Sequence, residues 1–216
     1  MQVIIDNLPL FASGLLRTLQ ISFYAAVIAL VVGTVMAAFR VSPLPPLRAV
    51  GTSWVTVLRN CPLTVVLFFM AFGLPEVGLN GSYFWFGTIG LGLYTSAFVC
   101  EAIRSGINAV PAGQAEAARS IGLTFGQTLS LVVLPQAVRM VIPPLGNVLI
   151  AMIKNSAIAG AFGVGGDLYS VAATLTSAQG LAALPVLTGV VIGYLLLTIP
   201  FGLLLNVVER KVAVVR

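Results

Sequence analysis

Residues Val110-Pro111-Ala112-Gly113-Gln114-Ala115-Glu116-Ala117-Ala118-Arg119-Ser120-Ile121-Gly122 form a water-compatible island between long apolar runs. Pro111 suits the first turn of a helix, where its missing N–H costs nothing. Ala115, Ala117 and Ala118 are strong helix formers. Gly122 takes the left-handed conformation that closes a helix at little cost. Thr124 and Gln127 follow with capping-box spacing, so a second helix is expected to start there and to end near Leu134-Pro135. The expected unit is two short helices joined by a tight glycine bend, lying beneath a membrane. Their small side chains let another protein's surface approach closely. From the residues alone, an ordinary amphipathic loop is the competing reading.

The rest of the chain sets that island in context. Of 216 residues, 59% are hydrophobic and only 8% are charged. A soluble domain carries roughly 25% charge to cover its surface, so much of this surface faces lipid instead. Five apolar segments are long enough to span the hydrocarbon: about 14–39, 50–72, 84–103, 141–162 and 184–207. Arg40 and Arg48 follow the first. Arg104, Arg119 and Arg139 lie between the third and fourth, and Arg210, Lys211 and Arg216 follow the fifth. The opposite ends carry Asp6, Glu76 and Asp167. Short loops rich in Lys and Arg stay in the cytoplasm, which predicts an outside N-terminus, a cytoplasmic C-terminus and an odd number of spans. No basic stretch precedes the first apolar run, so no cleaved signal peptide is expected.

Composition removes several chemistries. There is no His, the usual general base and the commonest metal ligand. Cys61 and Cys100 sit inside apolar stretches and give neither a disulfide framework nor zinc spacing. The net charge of +5 is scattered over helix ends rather than clustered, which argues against nucleic acid. No Gly-Lys dipeptide occurs, so there is no phosphate-binding loop of the Walker type.

Ionisable groups at membrane depth usually face a cavity or a partner. Arg17, Arg59, Glu101 and Lys154 are the candidates. Arg17 shares a face with Gln20, three residues on, and either works there or snorkels to the interface. Thr52, Thr56, Arg59 and Asn60 share one face of the second segment. They serve either as helix–helix glue or as one wall of a substrate path. Pro62 is expected to break that helix, which favours backbone lining a cavity. Glu101 and Arg104, three apart, either pair or serve the path. The contiguous polar triplet Lys154-Asn155-Ser156 is hard to explain by packing and points to a substrate path.

Glu116-Ala117-Ala118, Gly122 and Leu134-Pro135 together resemble the "EAA" loop of ABC import permeases. Arg59-Asn60-Cys61-Pro62-Leu63 is similar to the "RGTPL" element of polar amino acid permeases, with Asn60 and Cys61 departing from it. Glu101-Ala102-Ile103-Arg104-Ser105-Gly106-Ile107, Pro143-Pro144-Leu145-Gly146-Asn147 and Lys154-Asn155-Ser156 resemble further elements of that family. Leu93-Tyr94-Thr95-Ser96-Ala97-Phe98 and Gly163-Val164-Gly165 resemble permeases of actinobacterial glutamate uptake systems.

The resemblance implies an all-α membrane protein of the type I ABC importer permease kind. It implies one domain over 1–216, with about five transmembrane helices and a coupling loop at about 110–135. It assigns ATPase coupling to Gly113, Gln114, Glu116, Ala117, Ala118, Gly122 and Pro135. It assigns the substrate path to Arg59, Asn60, Glu101, Lys154, Asn155 and Ser156. It implies a bacterial cell membrane, a second permease subunit (a related chain or a second copy), two cytoplasmic ATP-binding subunits and an extracytoplasmic substrate-binding protein. ATP and Mg then belong to the partner ATPase; this chain carries no cofactor and is not an enzyme. The substrate implied is a polar amino acid, glutamate first, with glutamine or another polar amino acid as the alternative. An ion-coupled secondary transporter and a structural membrane scaffold are the rivals from other classes, but neither accounts for the module from Glu116 to Pro135.

Overall fold

A computed structural model describes residues 2–212, and all regular elements among them are helical. Arg216, counted above among the cytoplasmic charges, lies outside the described residues. A short α1 (Gln2–Asp6) leads into α2 (Leu8–Val41), whose start carries Pro9 in the first turn. At 1.5 Å per residue α2 is about 50 Å long, more than the roughly 30 Å of bilayer hydrocarbon. It stops at Ser42, before Pro43, because a residue preceding proline is driven out of the helical region.

The second apolar run does not cross as one straight helix. It divides into α3 (Pro45–Asn60), α4 (Leu63–Phe68), a π turn Phe69–Gly73 and α5 (Leu74–Glu76). The halves on either side of the break meet at 102°. The cause is local: Cys61 and Pro62 are both extended, and Pro62 has no N–H to continue the α3 ladder. The described residues therefore contain four long membrane-crossing helices, and a fifth span if the bent pair counts as one.

The centre of the bundle is α6 (Tyr83–Asn108), started by Ser82, whose hydroxyl accepts from the Phe84 N–H. In the most apolar stretch of α6, 61% is buried, against 6% for the last helix, α11 (Ala183–Val212). A stripe of small residues on α2, Ala25, Ala29, Gly33 and Ala37, allows α6 to come close. A Cβ on Gly33 would stand 2.6 Å from Cβ of Val99, so the two helices meet backbone to side chain there. Ile21, Leu67, Leu91 and Met152 form the core where α2, α4 and α6 meet the fourth span. Cys100 is buried beside Ala37, Val55 and Ala97, as a small apolar residue would be.

After α6 come α7 (Ala112–Ser120), α8 (Phe125–Gln127), a π turn Thr128–Val133 and α9 (Leu134–Ala159). The second short helix starts where expected but does not end at Leu134-Pro135. It runs on through the π turn into α9 as one helical stretch from Phe125 to Ala159. The Leu134 N–H bonds back to the Leu129 carbonyl, five residues behind, and this wider turn receives the Pro135 ring without a break. The connection from about 163 to 183 is also structured. It contains α10 (Leu168–Ala173) and a π turn Thr174–Ala178. Asp167, counted above as an outer charge, is fully buried as the α10 cap and accepts from the Tyr169 and Ser170 N–H groups at 3.1 and 3.3 Å. The Thr18 hydroxyl accepts from the Leu168 N–H at 3.1 Å and ties this cap to α2.

Candidate functional site

Helix geometry separates the triplet on α9, because successive residues point about 100° apart. Lys154 is exposed on one face. Ser156 is fully buried on another, and its hydroxyl donates to the Ile153 carbonyl at 2.7 Å. Asn155, half-buried between them, lines a cavity of about 210 Å³ with Tyr94, Thr95, Phe98, Val148, Ala151 and Met152. The structure thus brings one of the three residues to a cavity and not the other two. Tyr94 and Phe98, one turn apart on α6, stand 5.2 Å apart between ring centroids at a tilt of 49° and form the aromatic wall. Such a mostly apolar pocket with one convergent polar group is the usual form of a small-molecule site.

Glu101 is the hub of a second constellation. Arg104 donates to it at 2.9 Å, so the pairing, one of the two readings open to these residues three apart, is present. Arg40, at the end of α2, donates to its other oxygen. Arg59 of α3 stands 3.8 Å away and lies 5.7 Å above the Phe98 ring. Sequence reasoning treated Arg40 only as a cytoplasmic loop charge; nothing in its neighbourhood along the chain signals a carboxylate 61 residues away. Arg40, Val55, Thr56, Arg59, Asn60 and Glu101 line a largely polar cavity of about 310 Å³. Thr56, Arg59 and Asn60 of the expected polar face are together there, whereas Thr52 is not among its walls. Phe98 borders the Asn155 cavity and lies under Arg59, so one ring connects the two sites. Arg17 belongs to neither: it bonds Gln20 at 3.2 Å and covers the Phe84 ring at 4.0 Å.

The third constellation is outside the bundle. Gly113, Gln114, Glu116 and Ala117 of α7 are exposed, and Ala118 is buried beneath them. Gly122 has φ +91°, and the chain closes α7 by two reverse bonds, Gly122 N–H to Arg119 O at 3.0 Å and Leu123 N–H to Ala118 O at 3.2 Å. The expected capping box is present, with the Gln127 side chain accepting from the Thr124 N–H at 2.9 Å. Pro135 is exposed at the start of α9. Ile121 and Phe125 flank the glycine bend at 80% and 76% exposure. Sequence reasoning passed over both; two bulky apolar residues beside a bend outside the spans are the signal that marks them. Among the described residues no group of three or more His, Cys, Asp or Glu side chains is placed to hold a metal ion.

Residues 29–214 match the family described as "binding-protein-dependent transport system inner membrane component". The chain is 41% identical over 209 residues to the probable glutamine ABC transporter permease protein GlnM of Bacillus subtilis, covering 97% of this chain and 96% of that one. It is also 41% identical to the glutamate transport system permease protein GluC of Corynebacterium efficiens, with 91% of each chain covered. A crystal structure of an amino acid ABC transporter with histidines superposes with a TM-score of 0.92 at 36% identity, covering 97% of both chains. The MetNI methionine ABC transporter, at 22% identity and a TM-score of 0.77, shares the fold. A helical bundle with a broken second span, an exposed double-helix module and a chain-long match to ABC permeases leads to one conclusion: this chain belongs to the family of binding-protein-dependent transport system inner membrane components, the membrane-spanning subunits of ABC importers.

Proposed function

We propose that the chain forms half of a transmembrane path for a polar amino acid, glutamate in the first place. It pairs with a second permease subunit, is driven by two cytoplasmic ATP-binding subunits, and receives substrate from an extracytoplasmic binding protein. Its N-terminus lies outside and its C-terminus in the cytoplasm of a bacterial cell. ATP and Mg act on the ATP-binding subunits. The exposed α7 surface of Gly113, Gln114, Glu116 and Ala117, backed by Ala118, supports docking of the ATPase there. Gly122 then sets the angle between α7 and the helix that carries Pro135. Because the chain is helical without a break from Phe125 to Ala159, movement passed across the Gly122 bend has a continuous element leading to Asn155.

Relatives named for glutamine and for glutamate are equally similar to this chain at 41% identity, so the choice of substrate rests on the cavity. The observation that carries it is Asn155, a neutral amide in the wall beside Tyr94 and Phe98. A carboxylate at that position would repel an anionic substrate side chain 4–5 Å away by roughly 3–4 kcal/mol at an effective dielectric near 20. The amide removes that repulsion and donates hydrogen bonds to a carboxylate. Glutamine is the second reading, because an amide wall also serves a neutral polar side chain. An ion-coupled mechanism finds less support, since Glu101, its best carboxylate, is held by arginines. The test is Asn155→Asp in the reconstituted complex. Glutamate uptake is expected to fall at least tenfold while complex assembly is kept, in line with about 1.4 kcal/mol per decade; glutamate uptake equal to wild type would falsify the charge argument.

A further inference from the structure

The Glu101 cluster holds one carboxylate against three guanidinium groups. Arg40 and Arg104 hydrogen-bond to it, whereas Arg59 makes only a long ion pair with it at 3.8 Å, beyond hydrogen-bond reach; the Arg59 side chain is 46% exposed and lines the cavity. Arg59 therefore makes no hydrogen bond to Glu101 and presents a planar donor only loosely paired, suited to bidentate recognition of a carboxylate. Its neighbour supplies the opposite polarity. Asn60 donates its amide N–H to the Thr56 carbonyl at 2.7 Å, which leaves its Oδ1 as an acceptor. The end of α3 adds to this. Pro62 has no N–H for the Leu58 carbonyl, and the C-terminus of a 16-residue helix carries partial negative charge. A cationic lobe and an anionic lobe thus stand side by side on one cavity wall, at the point where the second span breaks.

We propose that the Arg59–Asn60 end of α3 binds the zwitterionic head of the transported amino acid. The α-carboxylate lies on Arg59, and the α-ammonium lies on Asn60 Oδ1 and the α3 carbonyl end. Arg40 and Arg104 keep Glu101 engaged, so that it does not neutralise Arg59. Phe98, under Arg59 and also in the wall of the Asn155 cavity, places the substrate side chain toward Asn155. The division of labour is that Arg59 and Asn60 read what all amino acids share, and Asn155 reads what differs. This inference rests on the amino acid import reading above.

The experiment uses the whole complex in proteoliposomes, with binding protein loaded with radiolabelled glutamate or glutamine. Arg59→Gln is expected to lower uptake of every amino acid the wild type carries, at least about tenfold, as for loss of a charge-assisted hydrogen bond. Arg59→Lys recovers a substantial part of the rate, and Asn60→Leu loses uptake of the same amino acids. If Arg59→Gln does not assemble, as judged by size exclusion, Asn60→Leu and the wild type decide. In the wild-type complex, alkylation of the free, half-buried Cys61 beside Asn60 is followed by peptide mass spectrometry. Glutamate and glutamine are expected to slow it, and γ-aminobutyrate, which lacks the α-carboxylate, is not. A loss of uptake confined to glutamate, uptake unchanged in the variants, or alkylation equal under all ligands overturns the proposal. Failure of Asn155→Asp alone sinks the side-chain charge reading and leaves the head-group site standing.

Discussion

Glu101 is reached by guanidinium groups from α2, α3 and α6, and a single carboxylate at membrane depth thereby ties three helices together. Each charge taken from water must be repaid by partners, and removing one partner leaves the others uncompensated. Glu101→Gln keeps the shape but leaves Arg40, Arg59 and Arg104 to repel one another. The cluster is part-exposed, so we expect a loss of about 2–3 kcal/mol, below the 3–5 kcal/mol of fully buried pairs. A thermal-shift measurement on the purified complex is expected to show a midpoint several degrees lower; a midpoint within one or two degrees of wild type would show that the cluster does not hold the helices together. On α9 the same scale separates function from packing: Ser156 satisfies its hydroxyl within its own helix, whereas Asn155 points to a cavity.

Among the elements, α7 and its glycine closure are the clearest mechanical part. A Cβ on Gly122 would meet no atom within 4 Å, so the position is restricted by backbone conformation alone. At φ +91° a β-branched residue is strained, by about 1–3 kcal/mol. Gly122→Val is therefore expected to impair ATP-driven uptake while membrane insertion is kept, and Gly122→Asn, which tolerates positive φ better, to be milder. Glu116→Lys reverses an exposed charge on the α7 surface and is expected to impair uptake in the same way. Near-normal ATP-dependent uptake in both Gly122→Val and Glu116→Lys would remove α7 from the coupling mechanism.

The whole molecule leaves large apolar faces uncovered, among them Phe68, Phe69, Leu196 and Leu203, which suits lipid or a second permease subunit rather than water. Apart from Arg17, Arg59 and Lys154, its described cations also divide by side. Arg40, Arg48, Arg104, Arg119, Arg139, Arg210 and Lys211 fall at or between the ends assigned to the cytoplasm. Single cysteines introduced next to Asp6 and next to Arg119, both exposed positions, test this orientation. An impermeant thiol reagent added outside intact cells is expected to modify the first and spare the second. Modification of both from the same side would overturn the arrangement.

Much of the fold depends on residues only a few places apart, and that part was legible in the sequence. Pro62 breaks the second span because proline lacks an N–H. Gly122 closes α7 because it alone takes positive φ cheaply. Thr124 and Gln127 cap each other across three residues, and Glu101 pairs with Arg104 across one turn. Tertiary structure decided what depends on approach between distant segments. Small residues on α2 let α6 come close, and the same packing brings Arg40 to Glu101. Asp167, to all appearance an outer surface charge, became a buried cap because Thr18 and α10 close over it. Local stereochemistry is set by a few neighbouring residues, whereas the partner of a long charged side chain is set by which helices meet.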